Sequence, residues 1–313
     1  MKNIKEYNLD ELKQELISLG EKGYRAEQIF NWLYVEKVKS FDDMTNLSLE
    51  LREKLKQNYT MCNFEILSKQ ESSDGTKKYL FDVLDGNAIE TVLMQYHHGK
   101  TICVSSQIGC KMGCKFCAST GIAFVRGLTS GEIVEQILAV EQDIGEHISN
   151  IVFMGIGEPF DNYDNVLRFV KIINCGKGID IGSRHITIST CGVIPGIKKF
   201  MNEEGQVNLA ISLHAPNNAL RSRIMPINKA YPLNELMETI KEYINKTNRR
   251  VTFEYIMLDN VNDSEENAKE LAILLKGINC YVNLIPYNET ENIEFKRTKE
   301  WKIMKFYDIL KKN

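Results

Sequence analysis

The spacing of apolar residues changes twice along the chain and marks off three stretches, 1–60, 61–99 and 100–313. In the first the spacing is helical. Asn8 with Glu11 forms a capping pair ahead of LDELKQELISLG, and Gly20 ends that helix. Ile29, Phe30, Trp32 and Leu33 place a second helix between Tyr24 and about Tyr34, and Ser40 with Asp43, then LSLELREKL, predicts more helix. Residues 1–60 therefore read as a small helical domain with its own face to bury. An interaction module and a packing appendage fit that pattern equally.

Between 61 and 99 the period becomes two, which predicts a β-hairpin extension. Asp74-Gly75 and Asp85-Gly86 are hairpin-turn dipeptides, and Tyr79, Phe81 and Val83 alternate with polar neighbours between them. After the second turn, AIETVLMQY puts Glu90 on one strand face with Val92 and Met94, and Ile89, Thr91 and Leu93 on the other. Both faces are largely apolar, so Glu90 is expected in a dry place. Desolvation there raises a carboxyl pKa and suits it to acid–base work. An internal ion pair with a Lys or Arg is the commoner use of such a residue.

From residue 100 the pattern alternates strand and helix. Strands are predicted at 101–105, 150–154, 185–190, 207–213, 250–257 and 280–286, and helices at about 130–144, 163–174, 194–204, 232–246, 264–276 and 298–311. Thr129 with Glu132 makes a capping box for the first of these helices, and Ser264 caps the fifth. Segments such as NIVFM and VNLAISL are apolar nearly throughout, as strands covered on both faces are. Six βα units imply an α/β fold with a parallel sheet, and eight would close a barrel. The expectation is a partial (β/α)6 barrel over residues 100–313, lacking a C-terminal strand where the pattern stops after EWKIMKFYDILKKN.

Composition narrows the class. With 43% hydrophobic and 26% charged residues the chain resembles ordinary globular proteins. No apolar run approaches the roughly 18 residues of a membrane span, and MKNIKEYNLDELK lacks the apolar core of a signal peptide, so a cytoplasmic protein without membrane contact is expected. A net charge of −3 argues against nucleic-acid binding driven by bulk charge. Five of the eight cysteines, Cys62, Cys103, Cys175, Cys191 and Cys280, are scattered through apolar segments, as reduced buried thiols are.

The other three are not scattered. Cys110, Cys114 and Cys117 stand as C-x3-C-x2-C within CVSSQIGCKMGCKFC. Iron–sulfur cubes normally take four Cys thiolates, so three would leave one iron open, the mark of a catalytic rather than a structural centre. A chelating amino acid's amino and carboxylate groups could fill that position. The competing reading is a zinc knuckle borrowing Cys103, His97 or His98, but zinc loops usually repeat C-x2-C at a distance and this chain has no second pair.

In parallel α/β folds ligands bind beyond the carboxyl ends of strands. NIVFM ends in Gly155-Ile156-Gly157-Glu158-Pro159, which lacks the third glycine of a dinucleotide site; its Glu158 suits a cationic amino group. The next strand ends offer Ser189-Thr190, then Ser212-Leu213-His214, and the last offers Asn288, an amide able to pair with an adenine or ribose edge. Arg184, Lys198, Lys199, Arg221, Arg223, Lys229, Arg249 and Arg250 would make a phosphate-binding rim if they converge; taken singly, solvated charge is the commoner reading.

C-x3-C-x2-C followed by GIGEP on the next strand resembles the radical S-adenosylmethionine (SAM) superfamily. YRAEQIFNWLY, IETVLM, ITIST, ISLHAPN, RSRIMPIN, YIMLDNVND and VNLIPYN extend the likeness along nearly the whole chain to its RNA adenine-methylating branch, RlmN and Cfr, and Ala118-Ser119-Thr120-Gly121 and ISLHAPN favour RlmN. The resemblance implies that Cys110, Cys114 and Cys117 ligate a 4Fe–4S cluster and that Gly157, Glu158, Ser189, Ser212, Leu213, His214 and Asn288 line the SAM pocket. It implies methylation of carbon 2 of an adenine in 23S rRNA and possibly tRNA, by a 5′-deoxyadenosyl radical and a methyl-carrying cysteine, with Glu90 accepting a proton and Cys103 resolving a protein–RNA crosslink. Residues 1–60 would position RNA, an electron donor such as flavodoxin or ferredoxin would serve the cluster, and the protein would be a monomer. Cfr-like methylation of carbon 8 and a zinc-stabilised RNA-binding scaffold are the alternatives. The family's methyl-carrying cysteine lies in a segment resembling DIDAACGQL; none of the eight cysteines has that context, and Cys191 is a remote stand-in.

Overall fold

The computed structural model describes residues 1–97, 99–203, 205–290 and 293–313, which leaves His98 of the zinc alternative outside the described residues. The chain divides into two compact units: residues 1–108 with 125–187, and residues 109–124 with 188–313. Among the described residues no helix is long and apolar enough to cross a membrane.

The first unit starts with strand β1 (Lys2–Asn3) and three helices, α1 (Leu9–Ser18), α2 (Arg25–Tyr34) and α3 (Leu49–Asn58), before β2 (Tyr59–Thr60) returns parallel to β1. Asn8 and Glu11 form the expected capping box, and Leu12, Leu16, Ile29, Phe30, Leu33, Leu51 and Leu55 are buried. β3 (Glu65–Glu71), β4 (Lys77–Asp82), β5 (Ala88–Tyr96) and β6 (Gly99–Cys103) follow as an antiparallel meander turning at Asp74-Gly75 and Asp85-Gly86. β7 (Gln107–Ile108) pairs with β8 (Arg126–Gly127); then come α4 (Ser130–Ile144), β9 (Asn150–Phe153), parallel to β6, and α5 (Tyr163–Ile173). Thr129 and Glu132 cap α4 reciprocally.

Alternation gives this sheet two different faces. Tyr79, Phe81, Ile89, Thr91, Leu93, Ile102, Ile151 and Phe153 are buried, Thr91 donating to Gln136 of α4 at 2.8 Å and Phe153 meeting Phe169 of α5 edge-on. The opposite face carries Lys78, Glu90, Val92, Met94, Cys103 and Val152, all short of full burial. α4 is also tied to the N-terminus: buried Lys5 pairs with Glu135 at 2.5 Å and donates to the Cys62 carbonyl at 2.7 Å. Both charges are compensated by hydrogen bonds, the condition for burying an ion pair.

β10 (Ile186–Thr190) leads into the second unit, which continues with α6 (Ile194–Phe200), β11 (Asn208–Ser212), α7 (Asn218–Ile224), α8 (Leu233–Thr247), β12 (Val251–Met257), α9 (Glu265–Leu275), β13 (Cys280–Pro286) and α10 (Glu300–Lys312). β11, β12 and β13 are parallel, as the βα spacing predicts. Val251, Phe253, Tyr255 and Met257 are fully buried, Tyr255 against Phe306 of α10. α7 was not expected from the sequence, and α6 is shorter than the predicted 194–204. The α/β class and the strand–helix succession hold.

Candidate active site

The cysteine loop belongs to the second unit, residues 109–124. Gly109 opens it at φ +71°, and a Cβ there would lie 2.1 Å from the Ala123 carbonyl oxygen; only glycine permits that closure. The Lys115 N–H donates to the Ile224 carbonyl at 2.9 Å, and Met112, Cys114 and Phe116 pack on a core containing Ile224, Met225, Ala215 and Cys191. Cys110, Cys114 and Cys117 are all partly buried thiols. Among the described residues no three His, Cys, Asp or Glu side chains converge as ligands of a single ion do. Three thiols within eight residues of one loop are the donor type a 4Fe–4S cluster takes, one short of its four irons.

Beneath the loop, at the end of β11, His214 takes φ +58° and is buried. Its Nδ1 accepts from the Ile256 N–H at 3.0 Å, which places the ring proton on Nε2, and its ring meets Phe116 edge-on at 4.8 Å. Burial, aided by the nearby Arg221 charge, pushes its pKa down to about 3, so the ring is neutral. Arg221, expected on a surface rim, is 0% exposed. Its guanidinium donates to the carbonyls of Leu213, Ser212 and Cys191 and to Oδ1 of Asn228. The expectation failed because main-chain carbonyls from the ends of two strands gather around it, and no residue pattern announces that.

Of the strand-end residues in this unit, Ser189 and Leu213 are buried, Ser212 is partly buried and Asn288 is exposed. Sequence reasoning missed Glu254 on β12, which shares a register row with Ser212 on β11 and Asn283 on β13. It is 5% exposed, accepts from Asn283 at 2.8 Å, and burial raises its pKa. An acid set between Phe253 and Tyr255 in the strand pattern VTFEYIM was the available signal.

Gly157 and Glu158 lie in the first unit, on the turn after β9. The Ile156 carbonyl accepts from the N–H groups of Ser106 and Gln107, and the Glu158 N–H donates to the Gln107 side chain at 2.9 Å. A Cβ on Gly157 would lie 2.6 Å from that side chain, so the glycine is dictated by close approach. One Glu158 oxygen accepts from the Phe160 N–H and caps the short turn that follows.

Glu90 and Cys103 share one face of the first unit's sheet. Cys103 pairs with Val92, two residues from Glu90, so the two side chains are diagonal neighbours, a relation that typically spans roughly 7–8 Å. Lys78 opposes Val92 on the same face and binds Glu90 at 3.0 Å. The Glu90 side chain is 45% exposed, which corrects the expectation of a dry carboxylate: its face is the open one, and its partner is the lysine an ion pair requires. Burial pushes the Cys103 thiol up to about 11, opposed by a hydrogen bond from the Met154 main chain. The Ser105 hydroxyl donates to the Glu90 carbonyl at 2.6 Å.

Comparison with known proteins defines the class. Residues 104–272 match the radical SAM superfamily, and residues 2–61 match the N-terminal domain of ribosomal RNA large subunit methyltransferases. The chain is a radical SAM enzyme, of a superfamily whose members use a 4Fe–4S cluster and SAM. A radical SAM methyltransferase from Sphaerobacter thermophilus superposes with a TM-score of 0.95 at 43% identity, over 100% of this chain and 93% of that one. Probable dual-specificity RNA methyltransferases RlmN from Spiroplasma citri and Bacillus subtilis are 53% and 52% identical over 99% of this chain, and 90% and 86% of theirs. The chain belongs to the RlmN family of SAM-dependent RNA methyltransferases.

Proposed function

We propose that this chain supplies the cluster, SAM and RNA sites for methylating carbon 2 of an adenine in 23S rRNA and in tRNA through a methyl-carrying cysteine that is none of its eight, with Glu90 and Cys103 handling the proton and sulfur chemistry of product release. The observation that carries the reading is the shared sheet face of Glu90 and Cys103 in a chain half identical to RlmN proteins along its length. When bound, the cluster and SAM supply a one-electron route to a carbon that is not nucleophilic. Cys110, Cys114 and Cys117 would hold the cluster, and Gly157, Glu158, Ser189, Ser212, Leu213, His214 and Asn288 would line the SAM pocket. Neutral His214 can donate from Nε2 and cannot add positive charge there. Cys103, once deprotonated against its raised pKa, attacks the carrier cysteine's sulfur: a disulfide forms, the sulfur–carbon bond to the RNA breaks, and its electron pair goes to that carbon, which is protonated to the methyl group; Glu90, held by Lys78 at 3.0 Å, accepts the proton leaving carbon 2.

Residues 1–60 act as the RNA-positioning domain, 61–99 as the hairpin extension that brings Glu90, and 100–313 as the catalytic barrel. A flavodoxin or ferredoxin supplies electrons to a monomeric, cytoplasmic enzyme. Eight cysteines in thiol form support the compartment.

None of those eight has the DIDAACGQL context, so a polypeptide of these 313 residues, reduced and supplied with SAM, 23S rRNA and tRNA, should bind SAM and release no 2-methyladenosine. The same polypeptide extended by such a segment should release it, as read by mass spectrometry of RNA nucleosides. Product from the unextended chain would assign the carrier role to one of the eight, Cys191 first. Release of 8-methyladenosine, or of no product from the extended chain, would overturn the reading.

A further inference from the structure

Arg221 stands first among the large, fully buried side chains of the described residues. It donates four hydrogen bonds, from Nε to the Leu213 carbonyl at 3.2 Å, from Nη1 to Asn228 Oδ1 at 3.0 Å, and from Nη2 to the Cys191 and Ser212 carbonyls at 2.7 and 3.1 Å. Every one of these acceptors is uncharged. Among the described residues no carboxylate pairs with it. Burial draws its pKa down to about 10, which leaves it cationic at neutral pH. A cation sealed from water without an anion is costly, and the cost is recovered where an anion is to be bound.

Its surroundings place that anion. The helix carrying Arg221 is the one whose last residue, Ile224, receives the Lys115 N–H of the cysteine loop, and Met112, Cys114 and Phe116 pack on Ile224 and Met225. On the other side Gly192, at φ +101°, leaves room that a side chain would take: a Cβ there would sit 3.3 Å from Nη2. Backbone conformation, hydrogen bonding and packing all converge to hold one positive charge beneath a loop of thiols.

We propose that Arg221 is a positioning residue that acts as the internal counter-charge of the cysteine loop, raising the reduction potential of the cluster its cysteines hold. The inference rests on Cys110, Cys114 and Cys117 being cluster ligands. Ligation requires thiolates, each carrying a negative charge, and reduction adds one more electron at the same place. In a site of low dielectric a fixed cation nearby eases that reduction.

The test is a redox titration of the full chain followed by electron paramagnetic resonance, using dithionite as the one-electron donor, on the reconstituted parent, Arg221→Lys and Arg221→Gln. At fixed potential the ratio of reduced to oxidised cluster should fall about tenfold in Arg221→Gln, which for one electron is about 59 mV, and Arg221→Lys should recover most of it. Loss of a purely structural clamp would lower the thermal midpoint of both variants and leave the potential unmoved; that result overturns the inference. Asn228→Asp gives an independent arm should Arg221→Gln not fold, since a carboxylate facing Nη1 neutralises the cation in place and should lower the potential in the same direction. An unchanged potential there also overturns it. A parent chain that assembles no cubane refutes the functional reading, and this inference with it; a cubane with unmoved potential refutes the inference alone.

Discussion

His214 illustrates what a buried titratable side chain contributes here. Its pKa of about 3 lies below the ordinary histidine value, so the unfolded chain takes up a proton at a pH where the folded chain does not. The ring's contribution to stability is therefore complete above about pH 6.5 and falls progressively as the pH drops toward 3. The nuclear magnetic resonance signals of this imidazole should stay flat from pH 8 to about pH 5, while the unfolded chain titrates near 6.5; a native midpoint near 6.5 would contradict the burial and the Nδ1 acceptor role. Legibility at this scale was uneven. The order of residues at strand ends named Ser212, Leu213 and His214 correctly as a strand terminus, because β11 ends at Ser212. Glu90 was expected in a dry place and is half open, because alternation says which residues share a face and not whether another layer covers it. Arg221 reads as a surface charge in RSRIMPIN, since the carbonyl of Cys191 that receives its Nη2 lies thirty residues away in sequence.

Elements follow more directly from local chemistry. Capping boxes at Asn8–Glu11 and Thr129–Glu132 fix the starts of α1 and α4, and the latter runs over the predicted 130–144. Such boxes satisfy two otherwise orphaned N–H groups with four residues of sequence, which is why they can be read in advance. α7 escaped because seven residues with apolar positions only at Ala219, Leu220 and Ile224 make too short a pattern. The cysteine loop is irregular up to its one short 3-10 turn (Ala118–Gly121), and its closure on Ala123 depends on Gly109. Gly109→Ala would set a methyl 2.1 Å from the Ala123 carbonyl at a left-handed φ, so the loop must open. Iron bound per chain after reconstitution should fall severalfold in this variant, while far-ultraviolet circular dichroism stays that of the parent. Parent iron content would show that the closure of this loop does not matter for the cluster.

The whole molecule carries a net charge of −3, yet belongs to a family that modifies RNA. Bulk attraction cannot supply recognition at that charge, so placement must come from surfaces and from the site. Apart from α7, the alternation of strands and helices is legible across residues 100–313, and the parallel order of β11, β12 and β13 follows from it. Where the chain divides into compact units was not, since residues 109–124 join residues 188–313 through packing on α7 and its neighbours rather than through any break in composition. The central claim is that three thiolates hold a cube with one iron left open to SAM. Mössbauer spectra of oxygen-free protein reconstituted with iron-57 measure it most directly, taken before and after SAM is added. A cubane with one distinct iron whose parameters change on adding SAM is the result expected; zinc in place of iron, or a cubane indifferent to SAM, would contradict it.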